Sequence, residues 1–459
     1  MRSIWAVAVN TVKQALRMKV AFIFLLLLVL LLPVMAFSST GDNTLKGRLQ
    51  TFVSYGLSLT SLLLCLLTII VSIHTVTSDI EHRQIYTVIT KPIRRFEFLL
   101  GKLLGTVLLS TGLLVLFLVL IYAVAAYMPR FYSATEADLI EVKNEFLTAR
   151  KALTPPEPDV SKEVADALKK LISGGNIDQV YGGMSPKEIT AQISNTTKLA
   201  KRSADVGQQL LWEFYNVKPR DPNGSIFVKF KLEVSVTPPD SEVYSQWGIG
   251  DYRPYKYGTQ SKGDGEFYPV QRKDPVRKFR EIEVPADAVA EDGYLAVAFY
   301  NPPLNTTSVI FPLEDGLEVL YKADSFTANF IRAGLLILSR LFFLACLGIL
   351  TSTFLSFPVA ILFCLVIFFT ASVSGFVIES FDFLSENMAV VYSYTFKWLI
   401  RLLPQFDKFN PSTYLVPAEL LSWSVVARVA LVMVCVKSLL LLVFALIIFS
   451  FREIARITV

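Results

Sequence analysis

Of the 459 residues, 53% are hydrophobic and only 18% are charged, and the mean hydropathy is +0.50. A soluble protein carries nearer a quarter charged residues, so the composition excludes an ordinary soluble fold. The net charge of +5 hides a split: residues 131–326 hold 23 Lys/Arg against 29 Asp/Glu, and the rest of the chain holds 21 against 10. A polar, mildly acidic domain is thus set into a basic, very apolar frame, and nothing in this balance points to nucleic acid. The sequence reads as an α-helical polytopic membrane protein with one inserted α+β domain.

In chain order, residues 1–19 are a basic leader with Trp5, Val9, Val12 and Leu16 on one helical face, which predicts an amphipathic interfacial helix. Uncharged runs follow at 20–41, 49–78 and 103–129. A crossing helix needs roughly 20 apolar residues, so these runs predict spans at Val20–Phe37, Phe52–Ser72 and Leu103–Tyr127. The basic start and Met35-Ala36-Phe37-Ser38 outline a cleavable signal peptide, but the long patterned leader argues for an uncleaved first span. The run at 341–378 is too long for one helix. Thr353–Phe357 reads as a turn and Pro358 suits the first turn of the next helix, which starts the fourth span near Leu335. Val429–Phe451, interrupted only by Lys437, completes six spans.

With the N-terminus inside, segments 1–19, 75–102 and 451–459 carry 11 Lys/Arg against 5 in the short outer segments 38–51 and 379–427. The positive-inside rule then places both termini in the cytoplasm and residues 131–326 outside, in the periplasm if the membrane is the inner membrane of a bacterium. The domain boundaries expected are 1–19, 20–130, 131–326 and 327–459.

The inserted domain changes period along its length. Thr135 with Asp138, Ser161 with Glu163, and Ser185 with Glu188 resemble helix starts, so residues 131–218 are predicted helical, with one long helix from Ser185 to about Val217. From 224 to 323 the apolar residues alternate, as in Ile226, Val228, Phe230, Leu232, Val234 and Val236, then Leu295, Val297 and Phe299, then Leu317, Val319 and Tyr321. This period of two, broken by Pro-rich turns, predicts a β-sandwich. Aromatic residues at Tyr252, Tyr255, Tyr257 and Phe267 either cap the sandwich or line a sugar- or lipid-binding face. The basic cluster Arg272–Arg280 reads as a solvated strand face. The sequons at Asn195, Asn223 and Asn305 read as chance.

Several chemistries are missing. No Gly-x-x-x-x-Gly-Lys-Ser/Thr loop occurs, so the chain has no phosphate-binding loop of that kind. The two histidines, His74 and His82, lie outside the inserted domain, which leaves that domain no Ser/His/Asp triad. All four cysteines (Cys65, Cys346, Cys364, Cys435) fall in apolar runs, so no disulfide framework and no cysteine-rich metal site is expected. The chain is expected to be no enzyme and to bind no cofactor itself.

The informative segment is Ser78–Lys102. Ser78 and Glu81 have capping-box spacing, and Lys91-Pro92 ends the helix they would start. A second helix then runs through Gly101 into the third span. Ile85, Tyr86 and Ile89 share one face of the first helix, either as an interfacial loop helix or as a knob for a cytoplasmic partner.

Glu81, Lys91-Pro92, Arg95 and Gly101-Lys102, in that order and spacing, resemble the second-to-third-span connection of type-2 ATP-binding-cassette exporter permeases. Further resemblance lies in the six spans, in Leu403–Phe409 before the last span, in Ser422-Trp423 at its start and in Arg452-Glu453 at its end. The resemblance covers about 1–128 and 330–459 and leaves out the inserted domain. It implies a permease subunit that works as a homo- or heterodimer with a separate cytoplasmic ATPase pair, which would bind the ATP and Mg. The segment 78–91 would be the coupling helix, with Asp79, Glu81, Arg83, Gln84 and Tyr86 as contacts to the ATPase. Lys91-Pro92 would set the elbow into the third span, Arg95 would belong with them to the ATPase-coupling set, and residues 1–19 would be the connecting helix. An alternative is a non-transporting mechanotransmission subunit, in which ATPase motion would reach a periplasmic or envelope partner through the inserted domain.

Arg340 and Lys437 fall inside spans four and six. A charge at such depth costs roughly 2.5–3.5 kcal/mol on insertion scales, so each needs a partner or a polar cavity. They are candidates for a substrate path that attracts anions; the alternatives are snorkelling or pairing with Glu379 or Asp382.

Overall fold

The computed structural model describes residues 2–42, 44–81, 94–132, 134–173, 186–221, 224–257, 265–381 and 403–451. The chain divides into two compact units, Met1–Ala149 with Ser325–Val459, and Arg150–Asp324. The inserted unit is therefore shorter than the expected 131–326, and residues 131–149 belong to the apolar unit.

The apolar unit opens with helix α1 (Arg2–Leu16), followed by α2 (Lys19–Ser38), α3 (Leu45–Glu81) and α4 (Arg95–Phe131). The expected stripe on α1 is not its packing face. Ala8, Thr11 and Ala15 are buried, whereas Trp5 and Leu16 are exposed. Small residues let α1 approach α4 closely, and glycines on α4 meet them. A Cβ at Gly101 would sit 2.6 Å from Val7 Cβ, and one at Gly105 would sit 2.6 Å from Ala8 O and from Thr11 Cβ.

The helix start expected at Ser78 does not form. α3 runs unbroken through Ser78 to Glu81, because the β-branched and small residues after Ser72 pack in the interior rather than turning at a loop. Thr75, Val76 and Thr77 are all buried. After α4 comes a short α5 (Glu136–Glu141), whose Thr135–Asp138 capping box forms as expected, and a π-turn Val142–Phe146. Lys46 at the start of α3 pairs with Glu141 and Glu145, which fastens this segment to the apolar unit.

The inserted unit holds β1 (Thr148–Leu153, which begins just before the unit), α6 (Ser161–Ser173), α7 (Pro186–Lys201), β2 (Ser203–Ala204), β3 (Gln209–Phe214), β4 (Ser225–Lys231), β5 (Glu233–Val234) and β6 (Glu242–Gly250). Then come α8 (Arg253–Tyr257), β7 (Phe267–Pro275), β8 (Phe279–Pro285), β9 (Leu295–Tyr300), β10 (Val309–Ile310) and β11 (Leu317–Ser325). The expectation of a purely helical 131–218 fails at β1, β2 and β3. The long helix expected from Ser185 to Val217 ends at Lys201. Buried Arg202 donates to the carbonyls of Leu313 (3.0 Å) and Pro155 (3.1 Å), and Gln209–Phe214 pairs along β9 in register Gln209↔Tyr300 to Phe214↔Leu295. Tertiary pairing outweighs local propensity there.

The strands form two four-stranded sheets, ordered β1-β11-β4-β8 and β3-β9-β6-β7, and a small sheet β2-β10-β5. Their inward residues, among them Ile226, Val228, Phe230, Trp247, Val297, Phe299 and Val319, form one core. The alternating pattern read from the sequence is the buried side of this sandwich, except that Val236 is 70% exposed beyond the strand end. Arg272 of the basic cluster is bound to buried Asp274 (2.8 Å), and Lys273 to Asp240 (2.7 Å). Asn305 is a poor glycan acceptor: its Nδ2 donates to Tyr244 O (2.7 Å) and Asn301 Oδ1 (2.7 Å).

The apolar unit resumes with α9 (Phe326–Ser352), α10 (Phe357–Phe381), α11 (Pro411–Leu415) and α12 (Trp423–Phe451), the last with a π-helical stretch at Leu431–Ser438. α9 begins at Phe326 rather than near Leu335, capped by Ser325 Oγ, which accepts from Ala328 N. The helix can start that early because Arg332 is buried with its guanidinium 5.0 Å over the Trp423 ring. The turn at 353–356 and the helix start before Pro358 are as expected. Among the described residues, α3, α4, α9, α10 and α12 are long and apolar enough to cross a membrane, and Phe22–Ser38 is a shorter apolar helix. The chain is a polytopic membrane protein with an inserted, strand-rich domain.

Candidate functional site

Where α3 ends and α4 begins, a buried polar cluster joins three helices. Lys102 Nζ on α4 lies 2.6 Å from Asp79 Oδ2 on α3 and donates to Gln14 Oε1 on α1 at 3.0 Å. Gln14 Nε2 closes the triangle by donating to Asp79 Oδ1 at 3.3 Å. Lys102 is 1% exposed and Asp79 6%, and the Phe98 ring lies 5.5 Å from the ammonium. A buried ion pair is tolerable only when further hydrogen bonds satisfy it, and Gln14 supplies one to each partner. The ends that flank residues 82–93 are thereby tied to each other and to the N-terminal helix.

Asp79, expected to face an ATPase, is turned into this cluster. Glu81, two residues on, is exposed at the end of α3. Arg83, Gln84, Tyr86, Lys91 and Pro92 lie outside the described residues, as does most of the expected coupling helix. Arg95, expected among the ATPase-coupling residues, donates to Ser450 O at 2.7 Å, on the last described turn of α12. Phe98 stacks on Phe449 beside it, with centroids 6.0 Å apart. In the sequence reading Lys102 is a motif position without a structural role, and Gln14 carries none. Part of the signal was available: a lysine at the edge of an apolar run requires a partner, and Asp79 and Glu81 are the acids next to the end of the preceding run.

Arg340 and Lys437 converge on one irregular segment, 403–409. Arg340 donates to Phe406 O (2.8 Å) and Ser61 Oγ (3.2 Å), with the Phe406 ring 4.9 Å away. Lys437 donates to Leu403 O at 2.7 Å. From α10, Ala371 O accepts from Phe406 N (3.0 Å) and Phe376 N donates to Asp407 Oδ2 (2.9 Å). Non-helical backbone between membrane helices persists only where its polar groups are satisfied by protein or water; Arg340, Lys437 and the Ala371 carbonyl satisfy three of those groups here. Of the other expected partners, Asp382 and the Glu379 side chain lie outside the described residues.

In the inserted unit, the rings of Tyr252, Tyr255 and Phe267 pack on one another with centroids 5.0–5.9 Å apart. Beside them, hydrogen bonding by the Arg253 guanidinium holds the Asp292 carboxyl below its ordinary range. Tyr257's side chain is not among those described. Among the described residues, no group of three or more His, Cys, Asp or Glu is placed to hold a metal ion.

Residues 5–148 match the family described as ABC-2 family transporter protein. That span takes in α1 to α4, with the Asp79–Lys102–Gln14 cluster, so this part of the chain is similar to type-2 ATP-binding-cassette permeases, the family that the motif at 81–102 resembles. Comparison with curated proteins gives no match, and neither does comparison with solved structures.

Proposed function

Starting from the kinship of residues 5–148 with ABC-2 transporter membrane domains, we propose that the chain is the membrane-spanning permease subunit of an ATP-driven transporter. A separate cytoplasmic ATPase binds the nucleotide, and a second permease chain completes the complex. Six spans follow when α2 is counted with the five longer helices. Both termini are cytoplasmic and residues 150–324 are extracytoplasmic, in the periplasm of a bacterial cell.

The observation that carries this reading is the buried Asp79–Lys102–Gln14 cluster. A segment pushed by an ATPase transmits force only if both its ends are held to rigid elements, and this ion pair holds them. Glu81 and the residues after it then form the contact surface. Replacing Glu81 and Arg83 together by Ala should leave the chain inserted but strip the ATPase from it. Co-purification from native membranes measures this, and undiminished ATPase recovery and turnover would remove the role given to this segment. For orientation, an impermeant maleimide on intact cells should label a cysteine placed at Leu304, which is 70% exposed, and leave one at Glu81 unlabelled; the reverse pattern inverts the topology.

The separate core of the inserted unit favours a second reading, in which ATPase motion is passed to an envelope partner without transport. Deleting residues 150–324 separates the two. A transporter with its path between the spans keeps substrate-stimulated turnover, whereas a mechanotransmitter keeps only basal turnover.

A further inference from the structure

The furrow where α4 meets α9 takes no part in the proposed function. It has a volume of about 350 Å³, within the range of small-molecule sites. Its walls are apolar, with Leu114, Leu118 and Val119 on α4 and Phe330, Ile331 and Leu338 on α9. Leu118 packs against Gly334, where a Cβ would sit 2.6 Å from Leu118 Cδ1. Val119 and Ile331, 61% and 56% exposed, form the rim. The lining also has three hydroxyls, which differ by depth. Thr111 Oγ1, near the middle of α4, donates to Val107 O at 2.7 Å and is satisfied within its own helix. At the other end, Tyr122 Oη and Thr327 Oγ1 lie 2.8 Å apart. Either can donate to the other, and the hydroxyl that accepts keeps its own proton for a further acceptor.

We propose that this furrow holds one acyl chain of a phospholipid, its terminal methyl beside Thr111 and Leu338 and its glycerol ester at Tyr122 and Thr327. Length and depth select this occupant. Thr111 and Leu338 lie near the midpoints of α4 and α9, and Tyr122 and Thr327 lie eleven residues from them, about 17 Å along each helix. That is slightly more than one leaflet's share of a hydrocarbon core roughly 30 Å thick. The hydroxyl pair thus stands where an ester carbonyl, which only accepts hydrogen bonds, enters the leaflet. A helix from a second copy is too bulky: at 17 Å long and 10 Å across it fills about 1,300 Å³, nearly four times the furrow. The site requires only that α4 and α9 cross a membrane, and it stands whether or not an ATPase binds.

The test is photolabelling of the full chain in nanodiscs of phosphatidylcholine that carries a diazirine at the end of one acyl chain. In the wild type, adducts at Thr111, Leu114 and Leu338 should exceed several-fold those at Val366 and Phe369, which are 57% and 56% exposed near the middle of α10. Filling the furrow from its rim with Val119→Trp and Ile331→Trp should remove the excess and leave the α10 adducts unchanged. Tyr122→Phe with Thr327→Val deletes the hydrogen bond at the mouth and should lower the excess about fivefold. Even labelling of the furrow and α10 in the wild type, or an excess that survives both tryptophans, overturns the proposal. Fewer adducts in the furrow than on α10 overturn it as well, by placing protein there instead of lipid. The wild-type distribution decides alone if the tryptophan variant fails to fold.

Discussion

Replacing Lys102 by Met is expected to destabilise the apolar unit by about 3–5 kcal/mol, because it strands the Asp79 carboxylate in a site 6% exposed, where among the described residues the Gln14 amide is left to satisfy it; removing one partner of a buried pair costs about this much. Asp79→Asn should cost a similar amount by stranding the ammonium instead. The double variant, Asp79→Asn with Lys102→Met, should recover most of the loss, since an uncharged pair of similar volume has no desolvated charge to leave bare. Thermal unfolding of the purified chain reads the stability. ATP turnover of the co-purified complex reads the coupling, and there the double variant should stay impaired, because it restores packing without the ionic tie between α3 and α4. Equal stability of Lys102→Met and wild type would show that the pair is not buried as described.

The second large effect is expected at the α1–α4 contact. A Leu at Gly105 places a side chain where Ala8 O and Thr11 Cβ already lie 2.6 Å from the Cβ position, and Gly101→Leu meets Val7 in the same way. Backbone cannot yield as a flexible side chain does, so α1 must lift. Overpacking of this kind costs about 1–3 kcal/mol. Amide exchange over residues 2–16 should speed up in both variants. Gly112→Leu on the same helix is the control, because nothing lies within 4 Å of its Cβ position. Unchanged exchange in Gly105→Leu would mean that α1 is not seated on α4.

These two effects also explain why a type-2 permease frame would bury a polar triangle in an otherwise apolar region. Apolar contacts between membrane helices are non-directional and permit sliding, because lipid tails offer the same contacts. An ion pair bridged by an amide fixes register. The Gly101–Gly105 face brings α1 near enough for Gln14 to reach both charges, so the close packing and the polar cluster form one arrangement.

The composition and its uneven charge determined that the chain crosses a membrane and carries an inserted polar domain, since burial in lipid and burial in a water-exposed core demand different residue frequencies. Alternation determined the strands at 226–230, 295–299 and 317–321, because a strand puts every second side chain on the same face, although 295–299 is buried on both faces. The order of Glu81, Lys91-Pro92, Arg95 and Gly101-Lys102 pointed to the family. What the residues could not decide alone were matters of partnership. Asp79 reads as a surface contact until α3 is seen to continue past Ser78, and Arg340 and Lys437 read as charges that need partners until the carbonyls of Phe406 and Leu403 are found beside them. Gln209–Phe214 reads as helix until β9 lies beside it. In each case the deciding partner is distant in the chain, 23 residues away for Asp79 and Lys102 and 66 for Arg340 and Phe406. Local pattern reports which face of an element is apolar, and only the folded chain determines what that face, or the charge beside it, meets.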